Sequence, residues 1–358
     1  MSAMPLKPRQ FRFVAVSVFL FAGSLSVPAA PVARAQSPAK SLQIYFVDVE
    51  GGQATLFVTP DGHSLLIDTG WPGNNNRDAE RIVAAAKDAG LSRIAFVLIT
   101  HYHSDHVGGA AQLAGKIPIG TFIDHGENRE TSDKVTQERW LAYKALLDSG
   151  KFNRITPKPE DTLPITGIKV EVVTADGVVL KNSLPGAGQT NPACNAANPP
   201  PDNTENPRSL GTLITFGKLR ILDLGDLTAD IERDLMCPMN RLGKVDFYIA
   251  SHHALFQSGS AALVHAIAPR VIIVDNGATK GGSPSALDII KSSHGLEGLW
   301  QLHFSEEAGD AHNTAPEFIA NLQGPDTGHY LKVSANPDAS FAIFNSRTKV
   351  SKTYSATH

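Results

Sequence analysis

The 358-residue chain is 42% hydrophobic and 19% charged, with 30 Gly, 23 Pro and 2 Cys, which excludes disordered, collagen-like and coiled-coil classes. Its length is enough to bury a sizeable core. A formal net charge of −3 gives no global pull toward nucleic acid or anionic lipid.

Residues 1–35 read as a secretory signal peptide. Lys7, Arg9 and Arg12 precede an apolar run over 13–27, and Ala33-Arg34-Ala35 forms an A-x-A-type cleavage site before Gln36. The run is short for a membrane span, so the chain is expected to be exported to the periplasm or outside the cell, with no stable span after cleavage. Cleavage would remove four basic residues and no acidic one, leaving 28 Lys and Arg against 35 Asp and Glu, a net of −7. In an oxidising compartment Cys194 and Cys237 are able to pair and close a loop of about 40 residues, worth about 4 kcal/mol in the chain-entropy model. Two free buried thiols are the alternative.

A linker over 36–41 leads into strand-like runs at 42–49, 54–59 and 64–68. Gly51-Gly52 and Asp61-Gly62 separate them, which predicts an antiparallel meander. Residues 77–89 carry apolar side chains at helical spacing and stop at Gly90. Next come a strand at 94–100, a helix from near Asp105 to Gly115, a strand at 120–124, a helix over 132–148 and strand character over 154–175. Residues 184–208, rich in Pro, Asn and Gly, read as a long loop. A hairpin follows (212–216 and 219–224), then helices at 228–236, 259–268 and 284–292 alternating with strands at 247–250, 271–275 and 300–304. A helix near 314–322 and a hairpin at 329–348 close the chain. Strands followed by alternating strands and helices, twice over, predict an α/β fold, a four-layer αβ/βα sandwich forming a single domain over 42–358. The alternation alone also suits a doubly wound sheet.

His101-Tyr102-His103-Ser104-Asp105-His106 is the strongest chemical signal: three imidazoles and a carboxylate directly after an apolar strand. Imidazole nitrogen with carboxylate oxygen suits Zn²⁺ and similar divalent ions. Gly108-Gly109 lets the following helical turn pack close. Two ions need a carboxylate between them, and Asp226, at the end of the apolar run 219–225, is the candidate; a helix N-cap is the bland alternative. Asp223 reads as a strand residue. His252-His253 ends another strand, with His252 preferred as ligand and His253 as a proton or oxyanion contact. Asp68, before Thr69-Gly70, is a candidate to orient a ligating His from outside. His125 is either a substitute ligand or a loop residue.

In this order, Asp68-Thr69-Gly70, His101-x-His103-x-Asp105-His106, Gly225-Asp226 and His252-His253 resemble the metallo-β-lactamase superfamily. Within it the sequence is similar to the C-terminal hydrolase domain of the ComEC competence proteins and its stand-alone exported relatives. Their "VDVGQGD" is echoed by Val47-Asp48-Val49-Glu50-Gly51-Gly52-Gln53, their "N-x-x-S-L" by Asn206-Pro207-Arg208-Ser209-Leu210, and their "HHGS" by His252-His253-Ala254. Gln53-Ala54 and Ala254 depart from those patterns, and the superfamily's third-motif histidine has no counterpart between 126 and 225.

The resemblance implies a centre of two divalent ions, Zn²⁺ first and Mn²⁺ or Fe as alternatives. His101 and His103 would hold one ion and Asp105, His106 and His252 or His253 the other, with Asp226 between them. Asp105, Asp226 and His253 are the expected catalytic residues. The expected function is an exported metal-dependent hydrolase that acts through a metal-activated water on a small-molecule or phosphodiester substrate, leaning to phosphodiester hydrolysis. A lactonase or β-lactamase-like amidase is the alternative, and a non-catalytic metal-binding scaffold is the alternative of another class. Neither the charge nor any basic run predicts a strong nucleic-acid-binding patch.

Overall fold

The computed structural model describes Met1, Gln10, residues 41–195 and residues 199–356. The expected signal peptide and linker lie outside the described residues except for Met1, Gln10 and Ser41. Among the described residues no helix is long and apolar enough to cross a membrane.

Two nine-stranded sheets carry the structure. The first runs, in spatial order, Val350–Tyr354, Phe341–Asn345, Leu331–Ala335, Leu42–Phe46, Thr55–Val58, Ser64–Ile67, Ile94–Leu98, Ile119–Ile123 and Asn153–Ile155. It is antiparallel as far as Ser64–Ile67 and parallel from there on. The second runs Ile319–Asn321, Gly298–His303, Val271–Val274, Phe247–Ile249, Leu219–Asp223, Gly211–Phe216, Lys169–Ala175 and Thr162–Leu163, with Val178–Val179 added at Lys169–Ala175. Its first five strands are parallel and the rest antiparallel.

Alternation along each strand explains the layering. In Leu42–Phe46, Leu42, Ile44 and Phe46 enter the core between the sheets, while Tyr45 turns to the outer core beneath the helices. In Leu219–Asp223, Leu219 and Ile221 face the other sheet and Leu222 faces its own helices. Phe46 of one sheet stacks on Phe247 of the other at 5.8 Å between ring centroids. Strands buried on both faces need continuous apolar runs, and that is how they read in the sequence. Outside the first sheet lie helices Arg77–Asp88, which buries Ala79, Ile82 and Ala86, and Lys134–Asp148, which buries Trp140 and Tyr143. Outside the second lie Ala229–Met236, Ala261–Ile267 and Pro284–Lys291. The fold is thus the expected four-layer αβ/βα sandwich.

Three elements differ from expectation. The helix expected from Asp105 to Gly115 is two short helices, Ser104–Val107 and Ala110–Ala114. Between them Gly108 and Gly109 pass so close to Ser104, Pro72 and Thr69 that a Cβ on either would collide with them. The helix expected near 314–322 is a short turn, Pro316–Phe318, followed by strand Ile319–Asn321, because the edge of the second sheet buries Ile319 and Ala320 completely. The terminal hairpin gains a third strand, Val350–Tyr354. Cys194 and Cys237 are joined as a disulfide, tying the long loop to the end of helix Ala229–Met236.

Candidate metal centre

The site is built where strands of both sheets end. Strand Ile94–Leu98 delivers Thr100 to Asp68, which follows the neighbouring strand Ser64–Ile67. Asp68 accepts the Thr100 backbone N–H (2.8 Å), the Thr100 hydroxyl (2.7 Å) and His106 Nδ1–H (2.7 Å). The fully buried carboxylate thereby commits the His106 proton to the outer nitrogen and leaves Nε2 facing inward. Thr100 Oγ1, whose own proton goes to Asp68, accepts His101 Nδ1–H at 3.0 Å, so His101 also points Nε2 inward.

Leu219–Asp223 leads through Gly225 to Asp226. Gly225 takes φ +56° against Thr100, where a Cβ would meet the threonine side chain at 2.8 Å. Phe247–Ile249 leads to His252 and His253, both left-handed at φ +54° and followed by Ala254 at +59°. Backbone bonds clamp this turn: His252 N–H to Gly225 O, Gly282 N–H to His253 O and Ser283 N–H to Ala254 O. Ser258 Oγ meets His252 Nδ1 at 3.2 Å, and Asp275 Oδ1 accepts His253 Nδ1–H at 3.1 Å.

Two donor groups result. Asp105, His106, Asp226 and His253 form one, all buried; His101, His103 and Asp226 form the other. Asp226 belongs to both. Its Oδ1 lies 3.2 Å from His106 Nε2 and 3.4 Å from His253 Nε2, and its Oδ2 lies 3.5 Å from His252 Nε2 and 3.8 Å from His101 Nε2. Burial by itself would raise the Asp226 carboxyl, but His106, His252 and His253 around it hold it well below the usual carboxylate range. For Asp105 the same burial effect is outweighed by Lys280 and His106, which keep it ionised. Burial drives His101 well below its ordinary value and His252 down to about 4. Against burial, the flanking carboxylates push His106 up, and His253 up to about 9. Asp226 Oδ1 is a buried oxygen with no hydrogen-bond partner. An orphaned carboxylate oxygen among inward-facing imidazoles is a donor set that fits a divalent transition ion.

The expected residues therefore converge, with two exceptions. His253 stands with Asp105 and His106, whereas His252, the preferred ligand of the pair, faces the other oxygen of Asp226. The reason is the turn, whose left-handed residues aim the two imidazoles to opposite sides of that carboxylate. His125 joins neither group, and its Nε2 pairs with buried Glu205 at 2.9 Å. Asp223, read as a strand residue, ends its strand buried and accepts Gln53 Nε2–H at 2.6 Å; burial pushes its carboxyl up to about 7. The departure at Gln53 thus supplies a donor to a buried acid.

Four participants escaped the sequence. Asp275 follows an apolar strand as the other site residues do, and that position was the available signal. Lys280, on a glycine-flanked loop, places its ammonium on Asp105 and stands 5.2 Å from the Trp71 ring centroid. Glu130 receives His103, and Thr100 receives His101; neither lies in a recognisable pattern. Asp48, Glu50 and His303 form a further three-donor group, but Arg81 already occupies the second oxygen of Asp48 at 3.1 Å.

The family model of the metallo-beta-lactamase superfamily matches residues 47–189. The chain is 39% identical over 76 residues to hydroxyacylglutathione hydrolase of Xanthomonas euvesicatoria pv. vesicatoria (strain 85-10), covering 21% of this chain and 27% of that protein. It is 29% identical over 109 residues to the probable metallo-hydrolase YqgX of Bacillus subtilis (strain 168), covering 30% and 44%. The matches thus span less than half the length of either relative. Among solved structures, the metallo-beta-lactamase fold protein YhfI from Bacillus subtilis is similar at a TM-score of 0.44 and 12% identity, over 82% of this chain and 100% of that one.

Proposed function

We propose that the chain is a hydrolase whose centre would hold two divalent ions, Zn²⁺ first, with Asp226 common to both donor groups, and that its substrate is a phosphodiester. The observation that carries the reading is the split of Asp226 between two donor groups, Oδ1 toward His106 and His253, Oδ2 toward His101 and His252. His101 and His103 would hold one ion, and Asp105, His106 and His253 the other. Bound there, the ions would lower the pKa of a water and polarise the scissile centre.

The chain's own groups do the rest. Asp68, Thr100 and Asp275 fix the proton positions of His106, His101 and His253, and the apolar strands beneath the site exclude bulk water. The Lys280 ammonium at the Asp105 side, beside Trp71, gives an anionic substrate oxygen a partner, which favours a phosphoester. The likeness to the ComEC-type hydrolase domain agrees with this reading. A thioester or lactone is the second reading, favoured by the matches to proteins named hydroxyacylglutathione hydrolase.

The test is turnover of bis(p-nitrophenyl) phosphate and of a hydroxyacylglutathione thioester by the purified chain, stripped of metal and reloaded with Zn²⁺, beside Asp226→Ala. Metal-dependent phosphodiester cleavage that falls at least ~1,000-fold in Asp226→Ala is expected, a loss of about 4 kcal/mol of transition-state stabilisation. Faster thioester turnover would shift the assignment to the second reading. Metal uptake without turnover of either would leave a binding scaffold.

A further inference from the structure

Four of the five histidines at the centre aim Nε2 inward and have Nδ1 near an outer partner: His101 on Thr100, His106 on Asp68, His252 on Ser258 and His253 on Asp275. His103 is reversed. Its Nδ1 faces His101 Nε2 at 3.1 Å inside the donor group, and its Nε2 points outward to Glu130 Oε2 at 2.8 Å. We propose that Glu130 is the positioning residue for His103: by accepting Nε2–H it commits Nδ1 as the lone-pair nitrogen of the three-donor group. The proposal rests on the metal-centre reading above and adds a residue to it.

Glu130 is itself held. The Glu205 backbone N–H donates to the same Oε2 at 3.0 Å, and Asn128 Oδ1 accepts the Glu130 backbone N–H at 2.9 Å. The Glu205 carboxylate in turn takes the Arg129 backbone N–H at 2.5 Å and pairs with His125. The loop before helix Lys134–Asp148 is thus fastened to the loop before strand Gly211–Phe216, and the carboxylate that receives His103 sits at the junction. Where the other four imidazoles rely on the strand ends or turns of the site, His103, on the turn opening helix Ser104–Val107, takes its support from outside the site. With only three donors in its group, the orientation of this ring matters more than it would in a fully provided one. His125, without being a ligand, supports Glu205 and so stands two steps behind the centre.

The test uses the full chain. Zn²⁺ affinity is measured by competition with a chromogenic chelator for the wild type, Glu130→Ala and Glu130→Gln, alongside ¹⁵N-histidine spectra of the Zn²⁺-loaded wild type. A carboxylate behind a ligating imidazole typically contributes 10–100-fold in metal affinity. Glu130→Ala is expected to weaken one Zn²⁺ by that factor and leave the other within about threefold. Glu130→Gln, whose amide oxygen still accepts Nε2–H, is expected to recover most of the loss. The spectra are expected to show His103 protonated on Nε2 and ligating through Nδ1. Unchanged affinity in a folded Glu130→Ala overturns the proposal, as does a His103 that ligates through Nε2, a result that needs no variant to fold. A wild type that takes up no Zn²⁺ would instead sink the metal-centre reading itself.

Discussion

Asp68 never reaches the centre with its own oxygens, yet it decides which nitrogen of His106 does. In Asp68→Asn the amide presents N–H to His106 Nδ1, so the imidazole must carry its proton on Nε2, facing Asp105 and Asp226. That variant is expected to fold and to bind Zn²⁺ about 10–100-fold more weakly, as read by chelator competition; equal affinity would show that the tautomer is set elsewhere. The residues of the centre were legible because each follows an apolar strand, a place where polar side chains have no structural excuse. His101, His103, Asp105, His106, Asp226 and the His252-His253 pair all carry that mark. Glu130 lies in a polar loop where a carboxylate is ordinary, and only the fold brings it to His103. The sidedness of His252 and His253 was also beyond the sequence, since it depends on backbone angles that histidine rarely adopts.

Among the elements, helix Ala229–Met236 carries a feature unrelated to the centre. Glu232 is fully buried and accepts the backbone N–H groups of Gly259 (2.7 Å) and Ser260 (2.8 Å) at the start of helix Ala261–Ile267. Burial outweighs these bonds and pushes its carboxyl up to about 7. A folded-state value above the unfolded one means its contribution is fully present below about pH 4.5 and is lost as the pH rises through about 7. The loss is about 3 kcal/mol by pH 8. Urea unfolding at several pH values should show this fall in the wild type and lack it in Glu232→Gln, whatever the variant's absolute stability; parallel curves would contradict the assignment. Most elements were readable from apolar periodicity, including the opening meander and the helices at 77–89 and 132–148. Periodicity failed at 314–322, where Ala, Phe, Ile and Leu fit a helix but pairing with Gly298–His303 overrode local preference.

At the scale of the whole molecule, the export expected from residues 1–35 is open to test. Cys194–Cys237 persists in oxidising surroundings, and residues 1–35 read as a leader for export. The chain recovered from its native host is expected outside the cytoplasm, beginning at Gln36 and with both cysteines unreactive to thiol reagents. Reducing the bond should then cost up to about 4 kcal/mol in denaturant unfolding. A cytoplasmic chain that retains Met1 would refute export. The layered architecture was legible because strands buried on both sides must read as continuous apolar runs. The position of the long loop against helix Ala229–Met236 was not, because its Pro, Asn and Gly residues state only where regular structure stops.

The three successive left-handed residues His252, His253 and Ala254 carry a wider consequence. Backbone of this kind disfavours every residue with a Cβ and excludes branched ones most strongly. The turn that spreads two imidazoles across Asp226 is therefore also a local weakness in the fold. At these positions selection for chemistry and selection for durability pull in opposite directions. The alanine at 254 leaves that tension in place where a glycine would relax it, so the stretch offers evolution a way to trade rigidity of the centre against robustness of the chain without altering a single ligand.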